Sequence, residues 1–171
     1  FKKMIDKTVI ITGATDERRA HITGIYFEII QKDNQNIVRM VSTDGNRLST
    51  VDYSYIKEQE LTVGPGVLIP KKGLQEVMKF LDYEGMVQVG FKNNNFIIKK
   101  DYETIIIRLL EGDFPEYIEI ITKSDENNIN LDRHLFLKML KRMSILSSED
   151  YKGVIFNFAT DKLLITTTNP D

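Results

Sequence analysis

Apolar side chains recur at helical spacing in three segments of this chain. In the first two segments they are Phe1, Met4, Ile5 and Val9, followed by Leu74, Val77, Met78 and Leu81. In the third they are Leu135, Phe136, Met139, Leu140 and Met143. A repeat of three to four residues is the spacing of an amphipathic helix, so we predict three helices. Asp132 precedes the third helix and is expected to cap its N-terminus.

Runs rich in β-branched and aromatic residues lie between these helices and predict strands. In chain order the runs are ITGIYFEIIQ, IVRMVST, RLSTVDY, GVLIP, MVQVGF, NFIIKK, ETIIIRLLEG, YKGVIFNFA and KLLITTTN. Polar turn residues predict hairpins at Asp33–Asn36, at Asp44–Gly45 and at Thr160–Lys162. The segment GDFPEYIEIITKSDENN is predicted to be a polar connector that Pro115 interrupts.

The order helix, strand, strand occurs twice along the chain. FKKMIDKTVIIT, ITGIYFEII and NIVRMVSTDG have counterparts in FLKMLKRMSIL, YKGVIFNFA and KLLITTTNPD. The repeat predicts a complete domain over residues 1–121 and the first part of a sister domain over 122–171. About three strands for each helix favour an α+β fold, with helices on one face of antiparallel sheets. We therefore expect the chain to be a piece of a longer protein.

The composition is that of an ordinary globular protein. The 171 residues are 42% hydrophobic and 28% charged, and their net charge is −2. No apolar run approaches the roughly 20 residues of a membrane-spanning helix. The chain has no Cys, which excludes disulfides and thiolate metal sites. Charges in FKKMIDKTVI exclude a secretory signal there, and we expect a cytoplasmic protein.

Basic residues concentrate on the predicted helices, whereas acidic residues concentrate in loops and at strand ends. The helix cations are Lys3, Lys7, Lys71, Lys72, Lys79, Lys138, Lys141 and Arg142. Two interpretations stay open: solvent-facing helix positions are commonly charged, or the helices present cations to a polyanion such as DNA. Weak, distributed phosphate contacts of this kind carry no sequence information. The net charge argues against a tight nucleic-acid binder.

The sequence offers only weak candidates for a catalytic or metal site. His21 and His134 lie far apart in different units, and Ser147–Asp150 has no neighbouring His base. Glycine-rich phosphate-binding motifs are absent, so no cofactor is predicted. Asp44 and Arg47 could be the acid and cation of a hydrolase, but an Asp-Gly step is more simply a tight turn. An enzyme is therefore the weaker hypothesis.

Four motifs in order carry a resemblance to a known family: STDGNRLS, IPKKGLQEVMKFL, EGDFPEY and ILSSEDYKGV. Together they resemble the bacterial DNA sliding clamp, the beta subunit of DNA polymerase III, in its middle domain and the first part of its C-terminal domain. The resemblance implies a non-catalytic processivity factor, a ring-shaped homodimer around duplex DNA. Basic helices would line the central channel, with antiparallel sheets outside. The family pattern is TDG-H-RL, and Asn46 stands here in place of the His.

The resemblance also implies roles for individual residues. A hydrophobic groove for short peptide motifs would comprise Ile22, Thr43, Gly45, Asn46, Arg47, Leu48, Pro115 and Ile120. Arg19 and His21 would join the helix cations in facing DNA, and Ile145 and Leu146 would belong to the dimer interface.

Several partners are implied as well. They are duplex DNA without sequence preference, the catalytic subunit of DNA polymerase III, the clamp loader, translesion polymerases and repair proteins. The N-terminal domain that supplies the facing dimer surface is not in this chain, so the chain alone is not expected to close a ring. A β-rich interaction adaptor without a DNA role remains the alternative.

Overall fold

The computed structural model describes residues 1–11, 23–32, 35–55, 64, 66–82, 84–122, 129–146 and 153–167. The chain divides into two compact units, Phe1–Tyr117 and Ile118–Asp171. This division lies near the boundary after residue 121 that the repeat suggests. Predicted site residues Arg19, His21 and Ile22 and the segment 147–150 lie outside the described residues. None of the described helices is long and apolar enough to cross a membrane.

The described part of the first unit contains two helices and seven strands. In chain order they are α1 (Lys2–Val9), β1 (Gly24–Lys32), β2 (Gln35–Thr43), β3 (Leu48–Tyr55), β4 (Val67–Pro70), α2 (Lys71–Phe80), β5 (Gln88–Lys92), β6 (Asn95–Lys100) and β7 (Glu103–Arg108). Strands β1 to β4 form an antiparallel sheet in the order β3-β2-β1-β4, and β5-β6-β7 form a second sheet. The two helices and seven strands predicted for this unit are thus confirmed.

The hairpin between β1 and β2 is tighter than the sequence predicts. Gln35 pairs with Lys32 and Asn36 pairs with Gln31, so both residues belong to the strand ladder rather than to the turn. The turn between β5 and β6 is built by Asn93 and Asn94, whose φ angles are 50° and 59°. Asn tolerates this left-handed conformation better than most residues, which explains the Asn-rich sequence there.

Both helices of the first unit bury the predicted stripe. In α1 the residues Met4, Ile5 and Thr8 are buried. Thr8 can be buried because its hydroxyl has a hydrogen-bond partner, the Met4 carbonyl, to which it donates at 3.0 Å. Helix α2 begins immediately after Pro70, which is the last residue of β4. Proline has no backbone N–H, so it adds no unpaired donor at the start of the helix. Its buried face includes Leu74.

The core of the first unit lies between these helices and both sheets. Phe27 of β1 packs against Phe91 and Phe96 of the second sheet, with ring centroids 5.3 and 6.3 Å apart. Phe27 and Phe96 are fully buried, and each such side chain contributes roughly 1.5–3 kcal/mol of hydrophobic stabilisation. Ile5 and Leu74 belong to the same cluster. The α+β fold with antiparallel sheets is therefore confirmed.

The described part of the second unit contains α3 (Ile118–Thr122), α4 (Arg133–Leu146), β8 (Ile155–Phe158) and β9 (Leu163–Thr166). Asp132 caps α4 as predicted, since its Oδ1 accepts the N–H of Leu135 at 2.7 Å. β8 and β9 pair as an antiparallel hairpin. The order of α4, β8 and β9 repeats that of α1, β1 and β2. The short helix α3 is a correction, because a connector was predicted there.

Candidate functional site

The turn between β2 and β3 holds its shape through its own hydrogen bonds. The Thr43 hydroxyl donates to the Arg47 carbonyl at 2.9 Å and accepts the N–H of Gly45 at 3.1 Å. The N–H of Asp44 donates to the same Arg47 carbonyl at 3.3 Å. Gly45 has a φ of +90°, a conformation that favours glycine. Thr43 is therefore a buried brace of the turn, and its contact with a peptide stays a prediction.

The Asp44 carboxylate completes this bracing. One oxygen accepts the N–H groups of Asn46 and Arg47 at 3.1 and 3.0 Å, and the other accepts the Arg47 Nε–H at 2.9 Å. These backbone N–H groups, with the Arg47 guanidinium, hold the pKa of Asp44 below its ordinary value. An ionised carboxylate engaged in three hydrogen bonds is poorly suited to act as a general acid, which weighs against the hydrolase hypothesis.

The turn presents a small group of side chains to solvent. Asn46 is exposed, and the Arg47 side chain is 61% exposed although Asp44 fixes its Nε. Leu48 is half-buried at the start of β3. The structure therefore brings together five of the eight predicted groove residues, namely Thr43, Gly45, Asn46, Arg47 and Leu48.

Pro115 lies on a segment that aromatic rings anchor to β1. Phe114 stacks on Tyr26 with ring centroids 4.9 Å apart, and Tyr117 meets the same ring edge-on at 6.3 Å. Pro115 itself stays exposed between its two anchored neighbours. Ile120 lies in α3 of the second unit and is 64% exposed. Its membership of the groove stays a prediction, as does that of Ile22.

A partly buried network of charged and polar groups joins the first sheet to Tyr117. Arg39 Nε and Nη2 donate to the two carboxylate oxygens of Asp52, both at 2.7 Å. The Tyr117 hydroxyl donates to Glu28, and the positive charge of Arg39 acts on the same hydroxyl. Burial, together with the bond to Glu28, raises the pKa of Tyr117. The sequence pattern did not predict this network; its only local signal is Arg39 within the apolar run IVRMV.

Lys71 is a correction to the predicted DNA-facing set. Its side chain is buried, and Nζ donates to the Ile11 carbonyl at 2.8 Å. Burial lowers the pKa of Lys71, while the nearby Asp44 carboxylate opposes that effect. The first residue of α2 thus points into the protein, and the spacing of helix cations alone could not reveal this.

The remaining helix cations of both units are accessible. Lys3 and Lys72 are exposed, whereas Lys7 lies 3.4 Å from Asp6 and Lys79 lies 2.7 Å from Glu76. In the second unit the exposed cations are Lys138, Lys141 and Arg142. Exposed ion pairs on a helix are weak, so Lys7 and Lys79 can exchange their partners for a phosphate. Whether these cations face DNA stays a prediction.

Two further features lie away from the turn. A cleft of about 420 Å³ is bounded by the first residues of α1, the end of α2 and residues 84–87. In it, Lys2 donates to the Leu81 carbonyl at 2.6 Å, and Lys100 pairs with Asp82.

In α4, the predicted interface residues Ile145 and Leu146 are 81% and 58% exposed. No cluster of His, Asp or Glu suited to a metal occurs among the described residues.

Comparison with known proteins identifies relatives along the whole chain. Residues 1–116 match the family model described as DNA polymerase III beta subunit, central domain. The beta sliding clamp of Pseudomonas putida is 30% identical over 172 residues, which cover 100% of this chain and 45% of that protein. The beta sliding clamp of Caulobacter vibrioides is 25% identical over 169 residues, covering 98% and 44%. This chain therefore spans about half the length of the curated relatives it matches.

Solved structures agree with the fold described above. A sliding clamp from Bartonella birtlesii bound to griselimycin has a TM-score of 0.85 and 27% identity, and the match covers 99% of this chain and 45% of that one. The Caulobacter crescentus pol III beta structure has a TM-score of 0.86 at 22% identity, with the same coverage. The clamp-like α+β architecture is thereby confirmed.

Proposed function

Since this chain belongs to the DNA polymerase III beta-subunit family, whose central-domain model matches residues 1–116, we propose that it is part of a DNA sliding clamp. The clamp is a non-catalytic processivity factor of bacterial replication, and in its full length it forms a homodimeric ring around duplex DNA. It works in the cytoplasm with the replisome and uses no cofactor. It tethers the polymerase, the clamp loader, translesion polymerases and repair proteins through short peptide motifs.

The observation that carries the peptide-binding role is the self-braced turn at Asp44–Arg47. Arg47 is held by Asp44 yet keeps a largely exposed guanidinium, which can donate to a peptide carbonyl or carboxylate. Leu48 and Pro115 add apolar surface for hydrophobic anchors. Because the turn is already ordered by its internal bonds, a peptide does not bear the entropic cost of ordering it.

Fluorescence polarisation with a labelled Gln-Leu-Ala-Leu-Phe peptide tests this role. The measurement uses this chain and the full product of its natural gene. We expect saturable binding by the full product, and a loss of about tenfold or more in Arg47→Ala and in Leu48→Ala, as for anchor residues of an interface. Arg108→Ala removes another exposed arginine, from β7 in the second sheet, and should leave the affinity unchanged. Absence of binding by the full product, or equal binding by Arg47→Ala, would contradict the peptide role.

The DNA role rests on exposed cations such as Lys3 and Lys72. Phosphate contacts make duplex binding depend on salt, and the slope of that dependence is roughly 0.9 for each phosphate that the protein neutralises. Lys3→Ala and Lys72→Ala should each reduce the slope, while Lys99→Ala, an exposed lysine of β6, should not. Peptide binding without any effect of these variants on DNA binding would instead support the adaptor without a DNA role.

A further inference from the structure

Strands β2 and β3, on either side of the turn, are hydrogen-bonded to the C-terminal end of α1. Ser42 Oγ donates to the Thr8 carbonyl at 2.6 Å, and Ser49 Oγ donates to the Lys7 carbonyl at 2.7 Å. The two serines lie directly opposite each other in the β2–β3 ladder, one step before the closing pair of the hairpin. The last carbonyls of a helix lack partners within the helix, so these hydroxyls satisfy groups that would otherwise need water.

Lys71 makes the third contact to the same end of α1. Its ammonium donates to the carbonyl of Ile11, just beyond the helix, from the first position of α2. The charges of Asp44 and Arg47 in the turn both act on this ammonium. Serines from two strands and a lysine from a second helix thus converge on one helix end. We call Ser42, Ser49 and Lys71 the α1 clasp.

The hydrogen bonds within the turn and the hydrogen bonds of the α1 clasp have different structural roles. The bonds of Asp44 and Thr43 determine the shape of the turn, but they join residues of the turn only to one another. They therefore cannot determine where the turn lies relative to the rest of the unit. The clasp bonds leave from the positions that directly flank Thr43 and Leu48, so they are placed to hold the hairpin tip against α1.

We propose that Ser42, Ser49 and Lys71 are positioning residues of the peptide site. They hold the turn in the place where Arg47 and Leu48 meet the peptide, without touching the peptide themselves. This inference rests on the peptide-binding role proposed above. It assigns part of the binding affinity to the hydrogen bonds that these three residues make with the C-terminal end of α1 and the residue just beyond it.

Ser49 allows a closely matched test, because it is only half-buried and Thr and Val have nearly the same shape. Ser49→Thr keeps the hydroxyl, whereas Ser49→Val removes it. In the full gene product, we expect Ser49→Thr to bind the labelled Gln-Leu-Ala-Leu-Phe peptide within twofold of wild type. We expect Ser49→Val to bind about fivefold more weakly, the equivalent of about 1 kcal/mol for one hydrogen bond.

Hydrogen exchange supplies a readout that loss of stability alone would not move. Under native conditions, the amides of Asn46 and Arg47 should exchange faster in Ser49→Val and not in Ser49→Thr. Ile98→Val is the control for general destabilisation, because Ile98 is fully buried in the other sheet. It should lower the melting temperature and leave both peptide affinity and turn exchange unchanged. Lys71→Met, which lacks the donor, should weaken binding about as much as Ser49→Val.

The outcomes separate this inference from the proposed function. Equal affinities of Ser49→Thr and Ser49→Val would overturn the clasp even if wild type binds well. Equal losses in Ser49→Val and Ile98→Val would also overturn it, since both would then reflect stability. If wild type does not bind, the proposed function fails, and the exchange of the Asn46 and Arg47 amides still decides whether the clasp positions the turn.

Discussion

Replacing Asp52 with Ala would leave the buried cation Arg39 without its bidentate partner. The Arg39 side chain is 9% exposed, and both of its bonds to Asp52 measure 2.7 Å. A hydrogen bond to a charged group contributes about 1.5–3 kcal/mol, and breaking a fully buried ion pair costs about 3–5 kcal/mol. The Asp52 side chain is 38% exposed, so water replaces part of the missing interaction. We therefore expect Asp52→Ala to lower the free energy of unfolding by about 2 kcal/mol.

This decrease is measurable by urea unfolding followed by circular dichroism. In a thermal melt it corresponds to a decrease of about 8 °C for a unit of this size. Asp52→Asn keeps one acceptor oxygen and should be less destabilised than Asp52→Ala. The double variant Arg39→Met with Asp52→Ala removes the buried charge itself and should be more stable than Asp52→Ala alone. A cost of under about 0.5 kcal/mol for Asp52→Ala, or a double variant that is the least stable of the set, would refute this account of Arg39.

Three further predictions concern the turn and one close packing contact. Asn46 cannot titrate, so peptide affinity should be flat from about pH 5.5 to 8, whereas Asn46→His should make it change near pH 6.5 in polarisation measurements. The lowered pKa of Asp44 stabilises the fold above the ordinary carboxyl pKa of about 3.9, and this is lost as pH falls through the lowered value. Asp44→Ala should therefore lower the melting temperature at pH 7, and the difference from wild type should shrink in acid. Gly66→Ala puts a Cβ into the Tyr26 ring at a φ of +101° and should cost over about 2 kcal/mol in urea melts. Gly64→Ala, where a Cβ meets open space, should cost under about 1 kcal/mol.

Periodicity predicted α1 and α2 because one face of each is buried in the core of the first unit, and it also predicted α4, although none of the residues of α4 is buried. Leu74 is fully buried at a position the pattern selects. Composition predicted a polar connector that Pro115 interrupts, and residues 111–117 indeed contain no helix or strand, but the short helix α3 follows them. Phe114 and Tyr117 are held there by packing on Tyr26, a contact between segments far apart in the sequence. Local composition carries no information on such partners, so the aromatic anchoring of this connector and the short helix α3 were not predicted.

In the candidate site, too, local features were predictable from the sequence, whereas contacts between distant segments were not. The turn was predictable because Asp44 and Gly45 are adjacent and their bonds are local. Arg39 and Asp52 lie 13 residues apart and meet only through the β2–β3 register. Lys71 was wrongly assigned to the basic face because its partner, the carbonyl of Ile11, lies 60 residues away. Charges that look equivalent on a helical stripe can thus differ completely once the neighbouring segment is present.

The position of β4 in the first sheet has a consequence for the order of folding. Strands β1, β2 and β3 follow one another as a meander, so each pair closes a short loop. β4 joins the far edge of β1, with Gly24 opposite Pro70, and requires closure of a much longer loop. Pulse-labelled hydrogen exchange should accordingly protect the β2–β3 ladder before the β1–β4 ladder. Because Pro70 passes directly into α2, the late arrival of one short strand also sets the moment at which the second half of the unit can dock.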